Sequence, residues 1–255
     1  VGTSGTAFAI ANNDVWTGIT AVETITGVAN TVATTIALDV TAETAGIVTV
    51  NMSAVDSGNN GGNTIDVSEY VTAGTTLTGS STGASTITGG GGADTITGGS
   101  GADTITGGGG ADTITGGAGA DTISTGAGSD TIVYTGLGAG DTVSDFSATD
   151  TIDLSAISSL TKVYEEIASN VADITTDANV IVVGGTSDIA TAAALIAADA
   201  EVTGTNGYIA VSDGTDFLVY HTDNLGNDGT ETLILTLSSL TGLGSLDTVN
   251  FDVTI

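Results

Sequence analysis

Gly89-Gly-Gly-Gly-Ala-Asp94-Thr-Ile96-Thr, Gly98-Gly-Ser-Gly-Ala-Asp103-Thr-Ile105-Thr, Gly107-Gly-Gly-Gly-Ala-Asp112-Thr-Ile114-Thr and Gly116-Gly-Ala-Gly-Ala-Asp121-Thr-Ile123-Ser are four consecutive copies of one nine-residue unit. A looser fifth copy comes next, Thr125-Gly-Ala-Gly-Ser-Asp130-Thr-Ile132-Val. Glycine permits positive φ and leaves backbone carbonyls free to face a ligand. Thr-Ile-Thr is a short β-branched strand with one large apolar residue to bury. Two units make one turn of a flattened solenoid, so like positions on one edge recur every 18 residues. Ile87, Ile105 and Ile123 then line one inner face, and Ile96, Ile114 and Ile132 the other. The aspartates sort the same way, with Asp94, Asp112 and Asp130 on one edge and Asp103 and Asp121 on the other.

Such stacking brings like charges together. Coils sit roughly 4.8 Å apart, and at ~4 Å two carboxylates repel by about 1 kcal/mol even in water. One isoleucine per nine residues is a thin core to set against the entropy of ordering that many glycines. A divalent cation between turns relieves both problems. Calcium is the fitting ion, because it accepts six to eight oxygen ligands, carboxylates and carbonyls among them.

The pattern G-G-x-G-x-D-x-U-x, with U apolar, resembles the nonapeptide of the RTX (repeats-in-toxin) family, a parallel β-roll repeat that binds calcium. The resemblance implies that each ion takes one aspartate from each of two stacked turns. It also implies carbonyls of the first and third repeat positions on one turn and of the second and fourth on the next. The glycines this brings in are Gly89, Gly90 and Gly92; Gly98, Gly99 and Gly101; Gly107, Gly108 and Gly110; Gly116, Gly117 and Gly119; and Gly126 and Gly128. The segment Gly140-Asp141-Thr-Val-Ser-Asp145-Phe146 leading to Thr149-Asp-Thr-Ile152-Asp-Leu154-Ser-Ala-Ile157 resembles the stretch just after the repeats in many RTX proteins. There Phe146, Ile152, Leu154 and Ile157 are expected to seal the roll, and Asp141 and Asp145 to supply a last calcium site.

Composition narrows the function classes. Thirty acidic residues face one basic residue, Lys162, for a net charge of −29. No cationic surface is available to displace counterions from nucleic acid, and an anionic membrane is disfavoured for the same reason. Cysteine is absent, which rules out disulfides and thiolate chemistry. No run of 18 apolar residues occurs, so no transmembrane helix or membrane insertion is expected.

The expected fold class is all-β: a parallel β-roll or β-solenoid with calcium-binding repeats, then a C-terminal β-rich cap with one short helix. Residues 1–78 read as a β-rich, irregular solenoid with strands at Thr35–Val40, Gly46–Met52, Asn63–Val67 and Thr75–Thr78. Residues 79–157 form the calcium-binding roll, which fades in through Gly79-Ser-Ser-Thr-Gly-Ala-Ser85-Thr-Ile87-Thr, with Ser85 in the aspartate's place. Residues 158–255 form a capping and secretion domain. It contains a helix at Asp188–Asp199, a hairpin over Gly207–Tyr220, a strand at Thr232–Leu237, and a tail resembling the C-terminal signals of type I secretion substrates.

No catalytic residue is expected. Gly79-Ser-Ser81-Thr-Gly83 matches a nucleophile elbow only in letters, because that motif needs a strand-turn-helix setting. His221 is the sole histidine and reads as a cap residue, and H-E-x-x-H is absent. Asp223–Asp228 resembles a calcium loop only loosely, and Asn51-Met-Ser53 is a formal glycosylation acceptor. The function expected is a secreted, calcium-dependent structural protein that assembles with itself at the cell surface and is exported by a type I secretion apparatus. The alternatives are an adhesin, which the single tryptophan supports poorly, and the calcium-binding secretion domain of a larger enzyme or toxin.

Overall fold

The structure is a computed structural model. It describes residues 34–44, 47–54, 62–135 and 140–154, together with strands at 9–10, 24–26, 164–168, 180–184, 207–212, 217–222, 231–237 and 251–252. The chain divides into two compact units, Val1–Val133 and Tyr134–Ile255.

The first unit is a parallel β-solenoid. Its elements are β1 (Ala9–Ile10), β2 (Thr24–Thr26), β3 (Thr35–Ala37), α1 (Val40–Thr44), β4 (Thr49–Asn51), β5 (Asn63–Asp66) and β6 (Thr76–Thr78). Next come β7 (Ser85–Thr88), β8 (Thr95–Gly99), β9 (Thr104–Gly109), β10 (Thr113–Gly117), β11 (Thr122–Ala127) and β12 (Thr131–Val133). Odd strands pair in order with odd strands, all parallel. Even strands do the same in a second sheet.

The register tracks the hydrophobic period. Ile36, Ile65, Ile87, Ile105 and Ile123 lie in one row across the odd sheet. Val50, Leu77, Ile96, Ile114 and Ile132 lie in one row across the even sheet. All ten are buried. The flanking threonines are exposed or half-buried: Thr95 and Thr113 lie outside while Ile96 and Ile114 lie inside. Parallel sheets usually bury both faces. Here one face is buried and the other is a threonine surface.

Coils in the repeats are 18 residues long, since Ile87 sits beside Ile105 and Ile105 beside Ile123. Before the repeats they are longer: Thr35 pairs with Thr64, 29 positions on, and Thr64 with Thr86, 22 on. The solenoid expected of the N-terminal region is present, but one expected strand is partly helix. The strand read over Thr35–Val40 ends at Ala37, and α1 begins at Val40. The cause is Asp39, whose Oδ1 accepts the amides of Thr41 (2.9 Å) and Ala42 (3.3 Å), a helix N-cap. Glu43 at the other end of α1 accepts the amides of Val71 (3.2 Å), Thr72 (3.0 Å) and Ala73 (2.8 Å). Tyr70, buried beneath, donates its hydroxyl to the Ile47 carbonyl at 2.8 Å.

The second unit contains β13 (Asp141–Val143), β14 (Thr151–Asp153), β15 (Tyr164–Ala168), β16 (Val180–Gly184), β17 (Gly207–Ser212), β18 (Phe217–Thr222), β19 (Glu231–Leu237) and β20 (Phe251–Asp252). The expected hairpin is β17–β18, antiparallel from Gly207–Thr222 to Ser212–Phe217. Strand β19 pairs antiparallel with β18 and parallel with β13. Val143, Phe146, Ile152, Leu154, Val219 and Leu235 are buried. Ile157, Lys162, the expected helix at 188–199 and the loop at 223–228 lie outside the described residues.

In calcium, Ile105→Ala is expected to lower stability by about 2–5 kcal/mol through the cavity it leaves. Thr104→Ala, on the outer face, is expected to stay within about 0.5 kcal/mol of the parent. Urea denaturation of the two variants makes the comparison, and equal losses would contradict the inward ladder.

Candidate metal centre

Each repeat aspartate stands one residue ahead of its Thr-Ile-Thr strand, where the sheet's own ladder begins. There it joins two coils. The Asp94 amide donates to Asp112 Oδ1 (2.8 Å), Asp103 to Asp121 Oδ1 (2.8 Å) and Asp112 to Asp130 Oδ1 (2.9 Å). The carbonyls of Asp94, Asp103 and Asp112 accept the amides of Thr113, Thr122 and Thr131, each at 2.8 Å. Both backbone groups of these residues are thereby used across coils. All five aspartates are 1 % exposed. The two edges are those expected, Asp94–Asp112–Asp130 and Asp103–Asp121.

The second carboxylate oxygen has a different fate. Oδ2 of Asp103 and Oδ2 of Asp112 are buried and accept no hydrogen bond. Leaving an ionised oxygen in that state costs several kcal/mol, on the order of what a buried ion loses with its hydration. The space beside each Oδ2 is kept open by the first glycine of the repeat. A Cβ on Gly98 would strike both Asp103 Oδ2 and the Gly116 carbonyl oxygen, and one on Gly107 both Asp112 Oδ2 and the Thr125 carbonyl oxygen. Gly89 stands in the same relation to Asp94 Oδ2 and the Gly107 carbonyl. A carboxylate oxygen and a carbonyl oxygen from the next coil therefore flank one small space, the donor set of a hard cation.

The remaining glycines shape the loops around that space. Gly108 and Gly117 have φ of +112° and +113° and lie against the Gly90 and Gly99 carbonyls of the preceding coil, so a side chain is excluded on both counts. Gly99 and Gly126 repeat this second-position geometry, and Gly110, Gly119 and Gly128 also have positive φ. Gly92 and Gly101 pack against the backbone at Ala73–Gly74 and Gly83–Ala84. The Gly90 and Gly99 carbonyls accept the amides of Gly109 (2.8 Å) and Ala118 (2.9 Å). A carbonyl oxygen has two lone pairs, so this leaves acceptor capacity. Gly116 abuts the Asp121 carboxylate.

Burial governs the charge state of the metal-free ladder. It pushes Asp103 up to about 7, with the Asp121 carboxylate adding to the rise. It pushes Asp112 up to about 6, with Asp94 and Asp130 adding to it. Asp121 is raised by burial as well. Among the described residues no three His, Cys, Asp or Glu side chains converge on one point. The carboxylates are instead interleaved with carbonyls along the edge.

Asp141 is buried at the start of β13, and Asp145 is half-buried beside Phe146, both in the second unit. Ser81 is exposed in the turn before β7, with a strand after it where a nucleophile elbow needs a helix. His221 lies in β18 at the register position of Tyr208 and Thr232. The ladder also extends to neutral residues ahead of the repeats. Asn63 Oδ1 accepts the Thr34 amide at 3.0 Å, as an aspartate would. Ser85 Oγ accepts the Ser80 amide at 2.9 Å, and Thr75 donates its amide to Asp94 Oδ1 at 2.7 Å. Ser85 keeps the 18-residue phase and is visible by it, whereas Asn63 and Thr75 do not, which hides them from a periodicity search.

Residues 80–105 and 97–132 match the model of the RTX calcium-binding nonapeptide repeat, a family description of four copies. These are RTX calcium-binding repeats. No curated protein matches the chain. The RTX segment takes calcium as its cofactor, and Asp103 and Asp112, with Oδ2 unpartnered beside a carbonyl, are the residues best fitted to hold it. Bound there, an ion would neutralise buried charge between the carboxylate of one coil and the carbonyl of the next.

Asp112→Asn is expected to keep the bond to the Asp94 amide yet weaken calcium binding, because only the charge is removed. Calorimetric titration against the parent checks it. The sign of the pH effect is set by the raised values. The metal-free coil is most stable below about pH 4, where the carboxyls are protonated folded or unfolded, and loses stability as pH climbs through 6 to 7. Chelated protein should therefore show more β circular dichroism at pH 5 than at pH 8. Calcium affinity should fall over the same descent in pH, since protons compete for the ligands.

Proposed function

We propose that the protein is a secreted, calcium-stiffened structural subunit that assembles with copies of itself at the cell surface, as a surface layer or an extracellular filament. The observation that carries this reading is the parallel solenoid itself: among the described strands β1 and β2 are outermost in the strand orders of the first unit. An outermost strand offers unpaired amides and carbonyls to another chain, and a contact that does not close on itself gives filaments or sheets. The outer faces support the same reading, being rows of threonine on a chain of net charge −29. Large faces with few charges suit stacking between subunits.

The reading assigns no catalytic residue. Its partners are further copies of the chain and the type I secretion apparatus. Extracellular calcium modules bind in the range of about 10⁻⁴ to 10⁻³ M, so the RTX coils stay unwound in the cytosol and wind after export, where metal binding supplies folding free energy. A second reading is favoured by the reach of the family match, which covers residues 80–132 of 255. On that reading the chain is the calcium and secretion module of a longer enzyme or toxin.

Electron microscopy of purified protein with and without calcium separates the two. A lattice or filament in calcium that disperses in chelator supports assembly, whereas single particles at high concentration in calcium contradict it. Deleting residues 1–30 should reduce particle size in light scattering. Polymerisation equal to that of the full chain would place the interface elsewhere.

A further inference from the structure

We infer that the solenoid coils between Thr34 and Thr88 fold without calcium and are the seed on which the RTX coils wind. The inference rests on calcium binding by the repeats and is independent of surface assembly.

The ladder of side chains that joins coil to coil does not begin at the repeats. On one edge the corner positions are Thr34, Asn63, Ser85, Asp103 and Asp121, with the Asn63 amide closed by the Ala84 carbonyl (3.2 Å) instead of by Ser85. The Thr34 amide donates to Asn63 Oδ1 (3.0 Å), the Ser85 amide to Asp103 Oδ1 (2.6 Å) and the Asp103 amide to Asp121 Oδ1 (2.8 Å). On the other edge Thr75 precedes Asp94 and Asp112. The capping geometry is shared, while the charge enters only from Asp94 onward. Gly79 shows how close the correspondence is: a Cβ there would meet Ser85 Oγ and the Gly98 carbonyl, as one on Gly98 would meet Asp103 Oδ2 and the Gly116 carbonyl. Ser85 thus occupies the cation cradle with a neutral hydroxyl.

Among the described residues before Asp94, the buried polar side chains are Thr34, Asn63, Thr75, Ser80, Ser85 and the hydrogen-bonded Tyr70 phenol, and none is a carboxylate. Asp94 is the transitional step. Its Oδ1 takes the Thr75 amide (2.7 Å) and hydroxyl (2.8 Å), and its Oδ2 takes the Gly90 amide (2.8 Å). Both oxygens are satisfied by protein. The next two carboxylates, Asp103 and Asp112, have an Oδ2 with no hydrogen-bond partner. The need for a cation therefore starts at a definite place in the chain.

The seed also has the apolar mass the RTX coils lack. Beyond the inward row it buries Leu38, Ile47, Met52, Val67 and Tyr70. Burial of side chains of this size contributes roughly 1.5–3 kcal/mol each, whereas an RTX repeat buries one isoleucine. An edge with its strand bonds already formed removes the nucleation step for the next coil, as in other stacked-repeat folds.

Hydrogen–deuterium exchange of the full chain, read by peptide in calcium and in chelator, tests this. Amides of β5 to β7 are expected to stay protected in chelator, while those of β9 to β12 lose protection and recover it when calcium returns. Equal behaviour of the two segments, whether both keep or both lose protection, overturns the inference. Asp103→Asn supplies a second reading, since it places a neutral amide where Asn63 stands one coil-pair earlier. Chelator-resistant protection should then extend into β9. If β9 exchanges as freely in this variant as in the parent, the neutral ladder is not what frees the seed from calcium.

Discussion

The structure of the first unit depends on a hydrogen bond from a backbone amide to the carboxylate of the residue one coil later. In a solenoid of 18-residue turns the strands are only a few residues long, and the corners between them leave amides outside the sheet. Asp112 Oδ1 takes the Asp94 amide and Asp121 Oδ1 the Asp103 amide, so each corner is closed by its neighbour. In the RTX coils that solution buries a carboxylate at every corner. The charge in turn imposes a metal, the metal imposes carbonyls facing it, and the carbonyls impose glycine. Most of the nine-letter pattern stems from one unsatisfied amide.

What the sequence reveals tracks how local each interaction is. The inward row from Ile87 to Ile132 and the two aspartate edges are set by a strict period, and both appear in the register as expected. The strand read over Thr35–Val40 runs into the first residue of α1 because that stretch alternates and Val40 is a β former. The stability of α1 comes from the Asp39 cap and from Glu43 bonds to amides 28 to 30 positions away. The cap is local, but no local window contains the partners of Glu43. Asn63 and Thr75 are hidden for a related reason. Asn63 caps the coil before it, as the repeat aspartates do, and Thr75 is capped by Asp94, but longer coils displace both from the 18-residue phase.

The site is legible as a residue set, and the structure adds a distinction within it. Five aspartates look equivalent in sequence, yet Asp94 has both oxygens bonded to protein while Asp103 and Asp112 do not. The difference comes from the Gly90 amide, which reaches Asp94 Oδ2 at 2.8 Å, since Oδ1 is bonded in all three. A backbone amide within the same repeat decides which carboxylate is content without metal. Sequence identity between repeats conceals that graded environment.

The pairing of two repeats per coil makes parity a constraint on the gene as well as on the fold. Ile105 stacks on Ile87 and Ile114 on Ile96, so each residue's environment depends on neighbours 18 positions away. Duplicating or losing two repeats changes the length of the stack and leaves every other contact as it was. Gaining or losing a single repeat would exchange the two edges for everything downstream, setting strands of one sheet against partners from the other. Recombination among near-identical nonapeptides is therefore tolerated in steps of 18 residues, and the tract can lengthen or shorten freely only by whole turns.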